Sequence, residues 1–151
     1  MNIEIHINIE DRVDIFDFNF DSQSLESFIK QYLTTSESKY DDIVLNYNFV
    51  SETTQININK EFLHHDYNTD IITFNLSEDT NELIGDIYIN PTIVQVNAKD
   101  YNVSYFNEMN RVLIHGFFHL LGYLDKTEEE ETQMRLLENK YLDYINVPRG
   151  T

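Results

Sequence analysis

SYFNEMNRVLIHGFFHLLGY, residues 104–123, is the stretch on which the fold turns. Laid on a helix at about 100° per residue, Glu108, Arg111, His115 and His119 fall in one narrow sector. Nearly all the rest of the circle is apolar: Phe106, Met109, Leu113, Ile114, Phe117, Phe118, Leu120 and Leu121. Such a helix, running over 104–121, belongs inside a core, and polar groups buried with it must find partners or cost stability. Gly122 ends it, as a glycine in left-handed conformation commonly does.

Two histidines at i and i+4 project from consecutive turns, so His115 and His119 can converge on one ion. A core hydrogen bond is the alternative for either ring. A catalytic tetrahedral site needs a third protein ligand and an open position, and Asp125 lies six residues after His119, just past the Gly122 turn. A carboxylate with two histidines is an established catalytic zinc set. The zinc-peptidase pattern places glutamate directly after the first histidine as general base. Here that position is Gly116, which argues against a peptidase of that kind.

On the amino-terminal side, residues 3–9 alternate, with Ile3, Ile5, Ile7 and Ile9 on one face of a half-buried strand. Asp21 and Ser22 offer N-cap chemistry before the stripe Leu25, Phe28, Ile29, Tyr32 and Leu33, which predicts a helix. A second strand is expected over 43–50, then a weakly patterned helix from Ser51 to about His64. Residues 70–76 and 83–90 are two apolar strands joined by the polar turn 77–81, hence a hairpin. Asn90 and Pro91 cap and open a helix reaching about Asp100. On the carboxyl side a last helix spans about 126–144. It opens on four glutamates that suit its dipole and carries Met134, Leu137, Tyr141 and Tyr144 at helical spacing. The order is β-α-β-α-β-β and then three helices. This predicts an α+β fold: about four strands in one mixed or antiparallel sheet, packed with about five helices, the metal site on a central buried helix.

The 151 residues are expected to form a single domain, 1–151, with one core, and there is no internal repeat or low-complexity segment. There is no cysteine, so any metal must be held by nitrogen and oxygen. No secretory signal and no apolar run of membrane-spanning length is visible, so a cytoplasmic protein without membrane attachment is expected. The formal net charge of −17 repels polyanions and weighs against an autonomous nucleic-acid binder. Much of it lies in blocks such as 125–131, and the glutamates 128–131 are expected to face solvent.

The run Glu108-x-x-Arg111-x-x-x-His115-Gly116-x-x-His119-Leu120-x-Gly122-Tyr123, with Met134 and Glu138 beyond it, resembles the YbeY family of bacterial metal-dependent endoribonucleases and rRNA maturation factors. A second block agrees: Asn59, Thr69-Asp70-Ile71-Ile72-Thr73-Phe74, Gly85-Asp86-Ile87 and Ala98. The resemblance covers roughly residues 58–138. It implies a single-strand-specific endoribonuclease of small-subunit rRNA maturation and ribosome quality control, with one zinc or other divalent ion held by His115, His119 and Asp125. Ribosomal RNA and ribosomal proteins are the implied partners, not DNA. The alternatives are a non-enzymatic ribosome-assembly factor with a structural metal, or a metallohydrolase of another substrate.

Two departures from the family pattern bear on the chemistry. Asp125 stands where the family has its third histidine ligand, and Leu63 stands where it has an arginine thought to assist cleavage. The second departure moves that role to Arg111, His64 or His65, with Arg111 and His115 taken as the catalytic pair. Other roles remain open to these side chains, including an Arg111–Glu108 pair and helix capping by His64 and His65. Thr69 and Asp70 belong either to an active cleft or to the cap of a strand. Gly85 suits a close backbone approach beside the metal helix, with Asp86 a candidate for orienting a ligand.

Overall fold

The computed structural model describes residues 1–38, 40–63 and 69–147. Its elements are β1 (Asn2–Ile9), α1 (Ser22–Thr35), β2 (Asp42–Phe49), α2 (Glu52–Ile58), β3 (Ile71–Asn75), β4 (Glu82–Ile89), α3 (Pro91–Asp100), α4 (Tyr105–Leu120) and α5 (Glu128–Tyr144). The strands form one mixed sheet in the order β1-β2-β4-β3. β1 and β4 both run parallel to β2, with Ile5 opposite Leu45 and Leu45 opposite Gly85. β3 returns antiparallel to β4 as the expected hairpin. Of the two sheet types left open by the sequence, the mixed one is found. Parallel β1 and β2 require the α1 crossover between them.

Alternation explains which face is which. Ile43, Leu45, Tyr47 and Phe49 of β2 and Leu83, Ile87 and Ile89 of β4 are buried on one face. The opposite face carries Asn8, Asn46, Asn48 and Asp86, tied in a cross-strand ladder by Asn8 to Asn48 at 3.3 Å and Asn46 to Asp86 at 3.0 Å. Asp86 therefore points away from α4 and orients no ligand there, a consequence of its odd register relative to Gly85 and Ile87. In β1 the expected half-buried stripe holds only at its start, since Ile7 and Ile9 are 39% and 49% exposed at the sheet edge.

α4 is the centre of the core. It packs on β3 and β4 and between α3 and α5. Met109, Leu113, Ile114, Phe117 and Phe118 are buried, and Tyr47 of β2 donates its hydroxyl to the Leu113 carbonyl at 2.8 Å. Phe106, placed in the buried arc by the wheel, is half exposed because it sits in the first turn, beyond the cover of the sheet. Gly85 lets α4 come close: a Cβ there would collide with the Leu120 side chain. Gly122, at φ +107°, closes the helix with bonds from its N–H to His119 and from Tyr123 to Phe118, a Schellman arrangement.

The weakly patterned helix after Ser51 runs as α for seven residues and then widens into a π turn at Asn59–Leu63. Gln55 and Asn59, four residues apart and so on one face of this segment, are both buried, at 0% and 1% exposure. His64 and His65 lie outside the described residues. No helix among the described residues is long and apolar enough to cross a membrane.

Candidate metal centre

His115 and His119 stack one above the other on α4, ring centroids 5.8 Å apart and planes 16° from parallel. The Nδ1 atom of each ring is occupied by the protein. His119 Nδ1 lies 3.0 Å from the Tyr123 carbonyl oxygen, which only accepts, so Nδ1 carries the proton and Nε2 keeps its lone pair. His115 Nδ1 lies 2.7 Å from Glu138 Oε2 of α5, and an ionised carboxylate imposes the same tautomer. A metal-binding histidine commonly donates its other N–H to a carboxylate or backbone carbonyl in just this way.

Asp125 Oδ2 lies 3.2 Å from His115 Nε2. Two ligand atoms each about 2.0–2.2 Å from one tetrahedral ion are separated by roughly 3.3–3.5 Å, so the pair is nearly spaced for a shared ion. Donor chemistry also fits: two imidazole nitrogens and a carboxylate suit a zinc-like divalent cation. Among the described residues no three such side chains are gathered closely enough to hold an ion as they stand. Asp125 follows the turn after α4 and is partly exposed.

Burial alone would lower the His115 pKa. The hydrogen bond and charge of Glu138, with Asp125 and Asp70, outweigh it and raise the pKa above the ordinary imidazole range.

Glu138 is bidentate in function: its Oε1 accepts from Arg111 Nη1 at 2.9 Å. Arg111 Nη2 donates to Asn139 Oδ1 at 3.0 Å. The Arg111–Glu108 pair considered from the sequence is not formed, because α5 brings Glu138 to the guanidinium first. Glu108 remains nearby, 5% exposed, its pKa pushed up to about 7 by burial and by the charge of Asp70, against the pull of Arg111 and Arg135. Asp70 is raised as well, chiefly by burial.

These groups line one cleft of about 580 Å³, with His115, His119, Asp125 and Glu138 along it and Asp70 and Glu108 on its walls. Of the two roles open to Thr69 and Asp70, the cleft is where they lie. The sequence missed Glu138 and the Tyr123 carbonyl as partners of the histidines. A signal for the first was present: Glu138 sits four residues after Met134 and one after Leu137, on the buried stripe of α5. Gly116 faces the sheet, where a Cβ would stand 3.0 Å from Ile71 Cδ1 and 3.2 Å from Ile87 Cγ2, leaving no room for a glutamate between the histidines. Of the glutamates that open α5, Glu130 forms a capping box with Thr127, while Glu128, Glu129 and Glu131 face solvent as expected.

Comparison with known proteins finds a family model described as Endoribonuclease YbeY matching residues 8–146. Curated relatives of that name include one from Cytophaga hutchinsonii, 41% identical over 133 residues, 85% of this chain and 93% of the relative. Another, from Bacteroides fragilis, is 39% identical over 115 residues, 76% of this chain and 81% of the relative. A third, from Flavobacterium johnsoniae, is 36% identical over 132 residues, 87% and 93%. Among solved structures, the solution structure of a Thermotoga maritima protein superposes with a TM-score of 0.55 at 28% identity, over 93% of this chain and 88% of that one.

Proposed function

The chain belongs to the YbeY endoribonuclease family, and on that premise we propose that it cleaves single-stranded RNA at the His115–His119–Asp125 cleft during small-subunit rRNA maturation and ribosome quality control. The observation that carries the placement is the pairing of both Nδ1 atoms with Glu138 and the Tyr123 carbonyl, which leaves both Nε2 atoms for a ligand at one cleft, with Asp125 Oδ2 3.2 Å from that of His115. The named activity of the relatives favours this over a non-enzymatic assembly factor or a hydrolase of other substrates.

One zinc ion per chain is the proposed cofactor, with His115, His119 and Asp125 as ligands. A divalent ion held there supplies Lewis acidity, easing deprotonation of water and offsetting phosphate charge. The protein's own part is positional and protolytic. Glu138 and the Tyr123 carbonyl fix the two rings. Asp125 balances charge at His115 Nε2. Glu108, with its pKa near 7, can hold or release a proton at its carboxyl oxygen under neutral conditions. Arg111, proposed with His115 as catalytic, acts through Glu138, which it holds against the ring. Ribosomal RNA is the substrate, ribosomal proteins the partners that offset the acidic surface, and the cytoplasm the place of action.

The test is cleavage of an rRNA precursor by wild type and His115→Ala, purified alike and matched for metal loading. Cleavage by wild type and loss of more than about a hundredfold in the variant are expected. Equal cleavage by both would identify a contaminating nuclease and sink the assignment.

A further inference from the structure

We propose that Tyr101, Arg135 and Lys126 form the strand-holding rim of the cleft: a base stacks on the Tyr101 ring while Arg135 and Lys126 take adjacent backbone phosphates. The proposal rests on the endoribonuclease reading and names the groups by which this chain grips single-stranded RNA.

A second cavity of about 600 Å³ adjoins the first, and Tyr101, His115, Asp125, Arg135 and Glu138 line both. Tyr101 and Arg135 thus stand where a strand crossing the histidines passes from one cavity into the next. Each cavity is within the roughly 300–1,000 Å³ typical of small-ligand sites.

Tyr101 is 59% exposed, and its ring has no aromatic partner or hydrogen bond among the described residues. Its backbone is nevertheless fixed. It caps α3, with Val103 N–H bonded to the Ala98 carbonyl at 3.0 Å and Asn102 N–H to Lys99 at 3.2 Å, Asn102 taking φ 57°. An exposed ring on a rigid mount loses little entropy on stacking, and base–aromatic stacking is tolerant of sequence because every base offers a π face.

The charge distribution points the same way. The chain has only ten Lys and Arg against 27 Asp and Glu. Three of the ten line this cleft. Arg111 is neutralised within the protein by Glu138. Arg135 is 56% exposed and only 3.8 Å from Glu138 Oε1, a loose contact at best, and the Lys126 ammonium has no ion-pair partner among the described residues. Two solvated cations are therefore left to meet phosphate at the mouth of the site. Glu131 and Asp125 share the wall of the second cavity, and Leu136, 60% exposed, also borders it. The strand is accordingly held with bases toward Tyr101 and Leu136 and phosphates toward the two cations.

Binding of a labelled single-stranded 2′-O-methyl oligoribonucleotide by the full-length, metal-loaded protein tests this, together with KM and kcat on the cleavable RNA. Tyr101→Ala is expected to weaken binding about ten- to a hundredfold, with the loss carried by KM more than by kcat. Tyr101→Phe, which keeps the ring, restores affinity, and an abasic oligomer binds wild type and Tyr101→Ala equally weakly. Arg135→Gln and Lys126→Gln each reduce the slope of log affinity against log salt by about 0.7, the value for one phosphate contact on a single strand. Lys30→Gln, a charge removed from α1, leaves the slope as it was. Wild type that cleaves RNA while the Tyr101, Arg135 and Lys126 variants keep its KM and salt slope overturns the rim assignment alone. Wild type that neither binds nor cleaves overturns the endoribonuclease reading and this one with it.

Discussion

Glu138 Oε2 sits 2.7 Å from His115 Nδ1, so a carboxylate 23 residues further along the chain sets the tautomer of a proposed metal ligand. Its other oxygen holds Arg111, so one buried side chain serves both a ligand and a cation. In Glu138→Gln an amide NH₂ facing Nδ1 forces the imidazole proton onto Nε2 and removes the lone pair. An amide oxygen facing Nδ1 leaves Arg111 opposite a donor. Either way, metal affinity should fall by roughly 10–100-fold, the usual worth of such an outer partner. Glu138→Ala should also cost about 3–5 kcal/mol, because Arg111 is left buried without its countercharge. Chelator competition and urea unfolding of the metal-free protein measure the two effects separately. Unchanged metal affinity in Glu138→Gln would remove Glu138 from the site.

Asp125 gives a second test, since a chain with aspartate at this corner should respond to the family's histidine. Asp125→Ala should lose metal by more than about a hundredfold, exceeding the loss from an outer partner. Asp125→His should retain one equivalent and shift preference toward softer, nitrogen-favouring ions, zinc over manganese. Metal content after dialysis and competition titration settle it. Retention of a full equivalent at wild-type affinity in Asp125→Ala would show that the third ligand is another group.

Glu108 makes stability depend on pH. Its folded pKa, about 7, lies above the ordinary carboxylate value, so the folded state holds the proton more tightly than the unfolded chain. Stability is then unaffected below the unfolded pKa and falls as pH rises from there through about 7. The loss should reach roughly 2 kcal/mol once solvent screening is allowed for. His115, raised in the same sense, also loses stabilisation with rising pH, so the contribution of Glu108 must be isolated. Glu108→Gln mimics the protonated acid and should gain on wild type steadily between pH 5 and 8, as read by urea unfolding in chelator. A constant difference across that range would mean that Glu108 titrates normally.

The order of elements was legible because it rests on local signals. Asp21, Ser51, Asn90 and Ser104 all accept from N-terminal helix amides, and the stripes they precede are the buried ones. His115 and His119 were legible because helical spacing alone brings them together. Groups that meet only through packing were not. Arg111 and Glu138 are 27 residues apart, and nothing local tells Arg111 to prefer Glu138 over Glu108. Asp86 failed for a related reason: which strand face meets α4 is decided by the partner helix, not by the strand. The ring partner of His119 is a backbone carbonyl, which no residue type announces.

Gly85 ties the sheet to α4 and supplies the last test. A Cβ there meets Leu120, whose Cδ2 would stand 2.9 Å away and whose Cγ 3.2 Å away, so either the leucine or the end of α4 must move. Leu120 is 6% exposed and has little room to turn. Overpacking of this kind costs about 1–3 kcal/mol, more than the roughly 0.5–1 kcal/mol that alanine gains over glycine within a strand. Gly85→Ala should therefore be destabilising by about 1–2 kcal/mol. Because His119 directly precedes Leu120, metal affinity should drop with it. Adding Leu120→Val relieves the collision, so the double variant should be less impaired than the sum of the two single changes, with a coupling of about 1 kcal/mol. Strict additivity in that cycle would mean that the sheet accommodates the methyl group without pressing on α4, and that Gly85 plays no part in placing His119.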